Sequence, residues 1–185
     1  MITDIQTGRS MLEMLGVLAI VGVLTVGGFG LVSKVNTSNQ TNNVIDEVSS
    51  LAAKVRVIAR DYGSGDGTFM KYVCKGKAYP DTLDCDLAEG TPEGDTCNCA
   101  TFTGSADVSY KVENGSYPTL FTLTASNLTD EMCMSLLTTN WGSETTSGFM
   151  GISGGSGNIS DSADPIAKAA TACSGDSNSL TFSYR

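Results

Sequence analysis

Six cysteines, twenty acidic side chains and no histidine define the chemistry open to this 185-residue chain. Without histidine there is no Ser-His-Asp or Cys-His catalytic set, no HExxH zinc site and no His-ligated haem. The commonest general base is missing as well. Carboxylate pairs such as Asp84 and Asp86 are of the type used in acid–base work, but nothing in their pattern places them in a cleft. Cys74, Cys85, Cys97 and Cys99 are separated by 10, 11 and 1 intervening residues. A four-cysteine zinc site needs paired C-x2-C spacing, so no metal and no cofactor are expected. Asp81, Asp84, Asp86, Glu89, Glu93 and Asp95 offer the oxygens a hard cation would use. They lack an EF-hand pattern and read as a solvated acidic loop. The cysteines, six with Cys133 and Cys173, are an even set behind an export-like N-terminus, which points to disulfides in an oxidising compartment. Sequence leaves the three possible pairings among the first four open. The net charge of −9 argues against nucleic acid as a charge-driven partner.

The N-terminus is the next feature. Residues 14–33, MLGVLAIVGVLTVGGFGLVS, carry no charge, and a helix of that length rises about 30 Å, the thickness of a bilayer core. The preceding MITDIQTG has no Lys or Arg, unlike a secretory leader. Glu13 stands at the start of the apolar run, where a carboxylate is costly and needs a partner. The glycines at 27, 28 and 30 make the stretch around them the weakest in helix propensity. Residues 34–43 are polar. Beyond them Val44, Ile45, Val48, Leu51, Ala52, Val55, Ile58, Ala59 and Tyr62 recur at helical spacing. Asp46, Glu47, Lys54, Arg56, Arg60 and Asp61 fill much of the opposite side, so an amphipathic helix is expected to end at Gly63. Helix running from Arg9 to Tyr62 has 54 residues and is about 80 Å long.

Downstream, residues 63–100 read as a Gly-, Asp- and Cys-rich connection with a β-like piece at 69–73. Val108, Tyr110 and Val112, then Phe121, Leu123 and Ala125, alternate with polar residues around Asn114-Gly115, predicting a hairpin over 105–125 whose second strand starts after Pro118. Thr129 is placed to cap a helix ending near Thr138. A short strand is expected within 147–160, another helix start at Asp164-Pro165, and a C-terminal strand at 180–184. The class is α+β.

The segment Gly8-Arg9-Ser10-Met11-Leu12-Glu13 and its apolar continuation resemble the class III signal of type IV pilins. In that family a prepilin peptidase cuts after a glycine, and a glutamate lies fifth in the mature chain. The resemblance implies cleavage between Gly8 and Arg9, N-methylation of Arg9, and Glu13 as the carboxylate that pairs with a neighbour's terminal amine and sets assembly register. Arg9 stands where the family usually has Phe, Met or Leu, and the leader lacks the usual basic residues. The run Phe121-Thr122-Leu123, Leu128-Thr129, Cys133, Leu136, Trp141, then Ala169-Ala170-Thr171-Ala172-Cys173 and Asn178-Ser179-Leu180-Thr181-Phe182, is similar to type IVb pilins of the conjugative thin-pilus branch.

That resemblance implies a type IV pilin fold, with a long N-terminal helix packed by its C-terminal half against an antiparallel β-sheet head. The head would have a disulfide-bounded C-terminal region. It implies a Cys133–Cys173 bond, which closes a loop of about 40 residues and contributes about 3–4 kcal/mol in the chain-entropy model. The expected organisation is a leader at 1–8, an apolar membrane or filament-core half-helix at 9–33, an amphipathic half-helix at 34–62 and a globular head at 63–185. The implied function is that of a non-enzymatic pilus subunit. It would lie in the bacterial inner membrane as a precursor and then in a homo-oligomeric helical filament at the cell surface, with the prepilin peptidase and the inner-membrane assembly machinery as partners. The alternatives are a type II secretion pseudopilin or a minor pilin, whose N-terminus would read the same, and a membrane-anchored binding domain, which would have no use for Glu13.

Overall fold

The computed structural model describes residues 11–62, 69–115, 120–154, 157–158, 172–175 and 177–185, and within the first helix the side chains of 16–19 and 36–60. Gly8, Arg9, Pro118 and the expected helix start at Asp164-Pro165 lie outside the described residues. The chain divides into two compact units, Met1–Asn39 and Gln40–Arg185. Helix α1, Met11–Tyr62, contributes to both. In the first unit its Val17 and Leu18 side chains are exposed. Among the described residues no helix is long and apolar enough to cross a membrane. The spanning role expected of 9–33 is therefore carried by the sequence alone.

The second unit is a helix laid on an antiparallel sheet. Val44, Val48, Leu51, Ala52, Val55 and Ala59 form a buried stripe at three- and four-residue spacing. They share one core with the inner face of the sheet. After α1 come helix α2 (Phe69–Lys75), strands β1 (Asp84–Leu87) and β2 (Cys99–Thr103), a short 3-10 turn at Ser105–Asp107, and strands β3 (Ser109–Asn114) and β4 (Phe121–Leu128). Helix α3 (Asp130–Thr138) and strands β5 (Phe149–Gly154), β6 (Gly157–Asn158) and β7 (Asn178–Tyr184) complete the unit. The seven-stranded sheet has the order β1-β2-β3-β4-β7-β5-β6, so β7 lies between β4 and β5.

The register shows why the inner face is apolar. Tyr110 pairs with Ala125, which pairs with Leu180; Val112 pairs with Leu123, which pairs with Phe182; Asn114 pairs with Phe121, which pairs with Tyr184. Alternation along each strand sends these residues to one side. Cross-strand neighbours then pack as rows, with the Phe121 and Tyr184 rings stacked at 5.1 Å. The β3–β4 pairing realises the expected hairpin. Trp141, the chain's one tryptophan, sits edge-on to Phe182 at 5.0 Å and donates from Nε1 to the Leu136 carbonyl.

Helix α3 begins as expected. Thr129 caps it, its hydroxyl accepting from the Met132 amide at 3.3 Å, and Asp130 and Glu131 stand in the first turn. Buried Asn178 ties the start of β7 to this corner. Its Nδ2 donates to the Asp130 carboxylate at 2.8 Å and to the Leu128 carbonyl at 3.2 Å.

Two expectations are corrected. Residues 69–73 are not strand-like: they lie in α2, whose Phe69 and Val73 share one helical face and are buried with Cys74. The connection expected over 63–100 contains a real edge strand, β1, paired with β2. Because β1 has exposed or half-buried residues throughout, its sequence shows no apolar alternation.

Phe182 is fully buried between Leu123 and Ile152 in register. Phe182→Ala is expected to lower stability by about 3–5 kcal/mol. Thr129→Ala, which removes only the cap, is expected to cost about 1 kcal/mol. Urea unfolding followed by Trp141 fluorescence measures both, and equal effects would contradict this placement of the core.

Candidate functional site

The second unit presents three features with chemistry: a buried carboxylate between helix and sheet, a disulfide-braced acidic edge, and a groove holding a guanidinium.

Glu47 was expected on the polar side of α1. It is instead buried, at 4% exposure, on the stripe between Val44 and Leu51. Ser105 donates to it from its amide at 3.1 Å and from its hydroxyl at 2.7 Å, and the Tyr110 hydroxyl donates at 2.7 Å. The carboxylate thus links α1 to the turn before β3 and to β3 itself. A buried carboxylate is tolerated only with such partners. Gly104 makes the approach possible, because a Cβ there would meet Leu83 at 2.6 Å and the Tyr110 ring at 2.8 Å, as well as Glu47. The sequence held a signal for this site: Glu47 falls three residues after Val44 and four before Leu51, on their face.

Burial pushes the Tyr110 phenol well above its ordinary value, and the hydrogen bond to Glu47 pushes it further in the same direction. Burial alone raises the Tyr184 phenol.

At the β1 edge of the sheet, Cys74 is bonded to Cys97 and Cys85 to Cys99. The Cys74, Cys85 and Cys99 sulfurs lie within 4.8 Å of one another. All are spent in disulfides, whereas the thiolate is the metal-binding form. The first bond ties α2 to the loop that leads into β2, and the second ties β1 to β2. Asp95, in that loop, is held below its ordinary value by the Cys97 amide first and by Lys71 at 3.3 Å second. Asp81, Asp84, Asp86, Glu89 and Glu93 are exposed around β1. Cys133 on α3 is bonded to Cys173, with both half-cystines buried.

The groove, of about 390 Å³, lies between α1 and the loop that follows α3. Arg56 projects into it over Gly148, where φ is +71° and a Cβ would stand 2.6 Å from the guanidinium carbon. The Arg56 Nε is buried without a hydrogen-bond partner. Sequence patterning had placed Arg56 on the polar side of the helix, yet it is half-buried.

Of the residues singled out from the sequence, Gly8 and Arg9 are outside the described residues. Glu13 lies in the helical backbone of α1, in the part whose side chains are not described. The six cysteines are brought into the three bonds given above.

No protein-family model matches the sequence, and no curated protein matches it. The fold does have a counterpart. The crystal structure of a type IVb pilin from Salmonella typhi is similar to this chain with a TM-score of 0.52 at 16% sequence identity, covering 74% of this chain and 97% of that one. The chain therefore has the type IV pilin fold: a helix against an antiparallel sheet, with a disulfide in its C-terminal region.

The phenols give a pH test. Unfolded tyrosine releases its proton near its ordinary value of 10.0, while the fold holds Tyr110 and Tyr184 protonated above it. Below that value their contribution to stability is fully present, and it is lost as pH rises beyond it. Stability from urea midpoints is expected to begin falling near pH 10 and to go on falling as the pH is raised further. Tyr110→Phe is expected to make that fall shallower and to cost about 1.5–3 kcal/mol at neutral pH through the lost bond to Glu47. An unchanged alkaline slope would show that Tyr110 is not held in this way.

Proposed function

We propose that the chain is a structural subunit of an extracellular type IV pilus, with no catalytic chemistry of its own. The observation that carries this reading is the likeness to a type IVb pilin over 97% of that protein's length. It coincides with a Gly8–Glu13 signal and an uncharged run at the opposite end of the chain from the residues that define the head. In this reading residues 1–8 are a leader removed by a prepilin peptidase, and cleavage after Gly8 frees the α-amine of Arg9, which is then methylated. Residues 9–33 anchor the precursor in the inner membrane and later line the filament core. Residues 34–62 join that core to the head at 63–185, which faces water.

Glu13 gives this assembly its register. A carboxylate among apolar helices is costly when unpaired and far less so beside a cation. A subunit entering the filament is therefore drawn to the position where its Glu13 meets a neighbour's terminal amine. Helix packing supplies the cohesion, and the polar pair selects the alignment. The net charge of −9 and the acidic, hydroxyl-rich head suit a fibre surface kept in water.

The reading is tested by shearing cells, pelleting fibres and determining the N-terminus of this chain by mass spectrometry. The expected species starts at Arg9 and carries one methyl group. Glu13→Ala is expected to leave the subunit cleaved and membrane-bound while fibre yield drops at least tenfold. An intact Met1 on a chain confined to membranes would overturn the pilus reading, and normal fibres from Glu13→Ala would remove the register role.

A further inference from the structure

Arg56 presents an electrostatic imbalance within the second unit. Its Nε is buried without a hydrogen-bond partner, and it belongs to none of the ion pairs Lys71–Asp95, Lys111–Glu113 and Arg185–Glu144. A half-buried guanidinium loses hydration and recovers the loss only when an anion reaches it. The groove around it combines this cation with the apolar surfaces of Ala52, Ala53 and Trp141 and with Ser49 and Asn140.

The complementary surface lies elsewhere on the same chain. Strand β1 is an edge of the sheet, paired only with β2. Its Leu87 is 51% exposed, one of the few large apolar side chains left open to solvent among the described residues. It stands between the exposed carboxylates Asp86 and Glu89. An apolar side chain flanked by acids matches a groove that sets an alanine and tryptophan surface among hydroxyl and amide side chains, beside a half-buried positive charge. We propose that the Arg56 groove receives the β1 edge of a second copy of this chain, Leu87 entering against Ala53 and Trp141 and Glu89 reaching Arg56. The proposal rests on the filament reading and names the head-to-head contact within it.

Charge complementarity decides the choice of occupant. The chain carries 20 acidic against 11 basic residues, so most approaches of one head to another are repulsive. A contact that places acids on a guanidinium outside these ion pairs runs against that general repulsion and attracts. Topology adds a second reason. The groove is bounded by Tyr184 on β7 and by the loop between α3 and β5, whereas β1 is separated from β7 by β2, β3 and β4. Socket and edge are thus different surfaces, and one copy can engage two neighbours at once. Such heterologous contacts do not close as isologous dimers and propagate into a filament wherever the rotation between copies does not close a ring.

The contact is tested by cross-linking in fibres made from the full chain. No free cysteine is present among the described residues, so two introduced thiols report cleanly. Ala53→Cys with Leu87→Cys, treated with a short bismaleimide, is expected to give a covalent ladder of dimers and higher species from sheared fibres, and each single variant none. Ser49→Cys with Glu89→Cys reads the same contact independently. Arg56→Glu in either background is expected to abolish the ladder. In the Ala53/Leu87 background, adding Glu89→Arg to Arg56→Glu is expected to restore it. Fibres that yield only monomer from both pairs, or a ladder indifferent to Arg56→Glu, would overturn the contact and leave the filament reading standing. Absence of fibres from the unaltered chain would overturn both.

Discussion

Apolar contact alone would hold a helix on a sheet without fixing where it sits, because a stripe of valines and alanines can slide by a turn and still bury similar area. Glu47 removes that freedom. Its carboxylate is accepted only where the Ser105 amide and hydroxyl and the Tyr110 hydroxyl converge, and a shift along the helix would leave a buried charge with no donors. The Gly104 backbone admits the carboxylate, and the 3-10 turn that follows presents Ser105 to it. Lys54, two turns on, adds a weaker tether to the Tyr79 carbonyl at 2.9 Å. The position of α1 on the sheet, and with it the groove beside Arg56, follows from that one polar anchor.

Disulfides do a different job at the β1 edge of the sheet and beside its interior strands. Strand β1 has four residues, little burial and one neighbour, so apolar packing alone gives it weak support. Two adjacent bonds, Cys74–Cys97 and Cys85–Cys99, substitute for the missing core by limiting the freedom of the unfolded loop. Cys133–Cys173 instead bridges α3, which is already packed, to the segment leading into β7. A highly charged, solvent-facing margin is thereby kept in shape without being made apolar.

The parts of the fold legible in the sequence are those where one periodicity dominates. Val108, Tyr110 and Val112 and then Phe121, Leu123 and Ala125 show the two-residue repeat of a half-buried sheet, and Thr129 with its following acids shows a helix start. Short elements with competing signals are ambiguous in the sequence. Phe69-Met70-Lys71-Tyr72-Val73 alternates well enough to resemble a strand, but Phe69 and Val73 are also one helical turn apart, and packing beside Cys74 favours that geometry. Glu47 and Arg56 were assigned to solvent from their charge. Their positions on the helix, not their type, decide how far they turn from solvent, and the donors that permit Glu47 to be buried lie 58 and 63 residues further along the chain. The pairing among Cys74, Cys85, Cys97 and Cys99 had no local signature at all.

The strand order carries a consequence for biosynthesis. Strand β7, the last in chain order, fills the slot between β4 and β5, and its Leu180, Phe182 and Tyr184 supply the middle of the inner face. Until those residues emerge, β5 has no bridge to β4, and the helix stripe faces an incomplete wall. Closing a gap between residues so distant in sequence is slow relative to helix formation. During synthesis the apolar N-terminal segment is thus exposed well before the head can become compact. That interval, during which the head lacks its central strand, is set by the position of β7 alone.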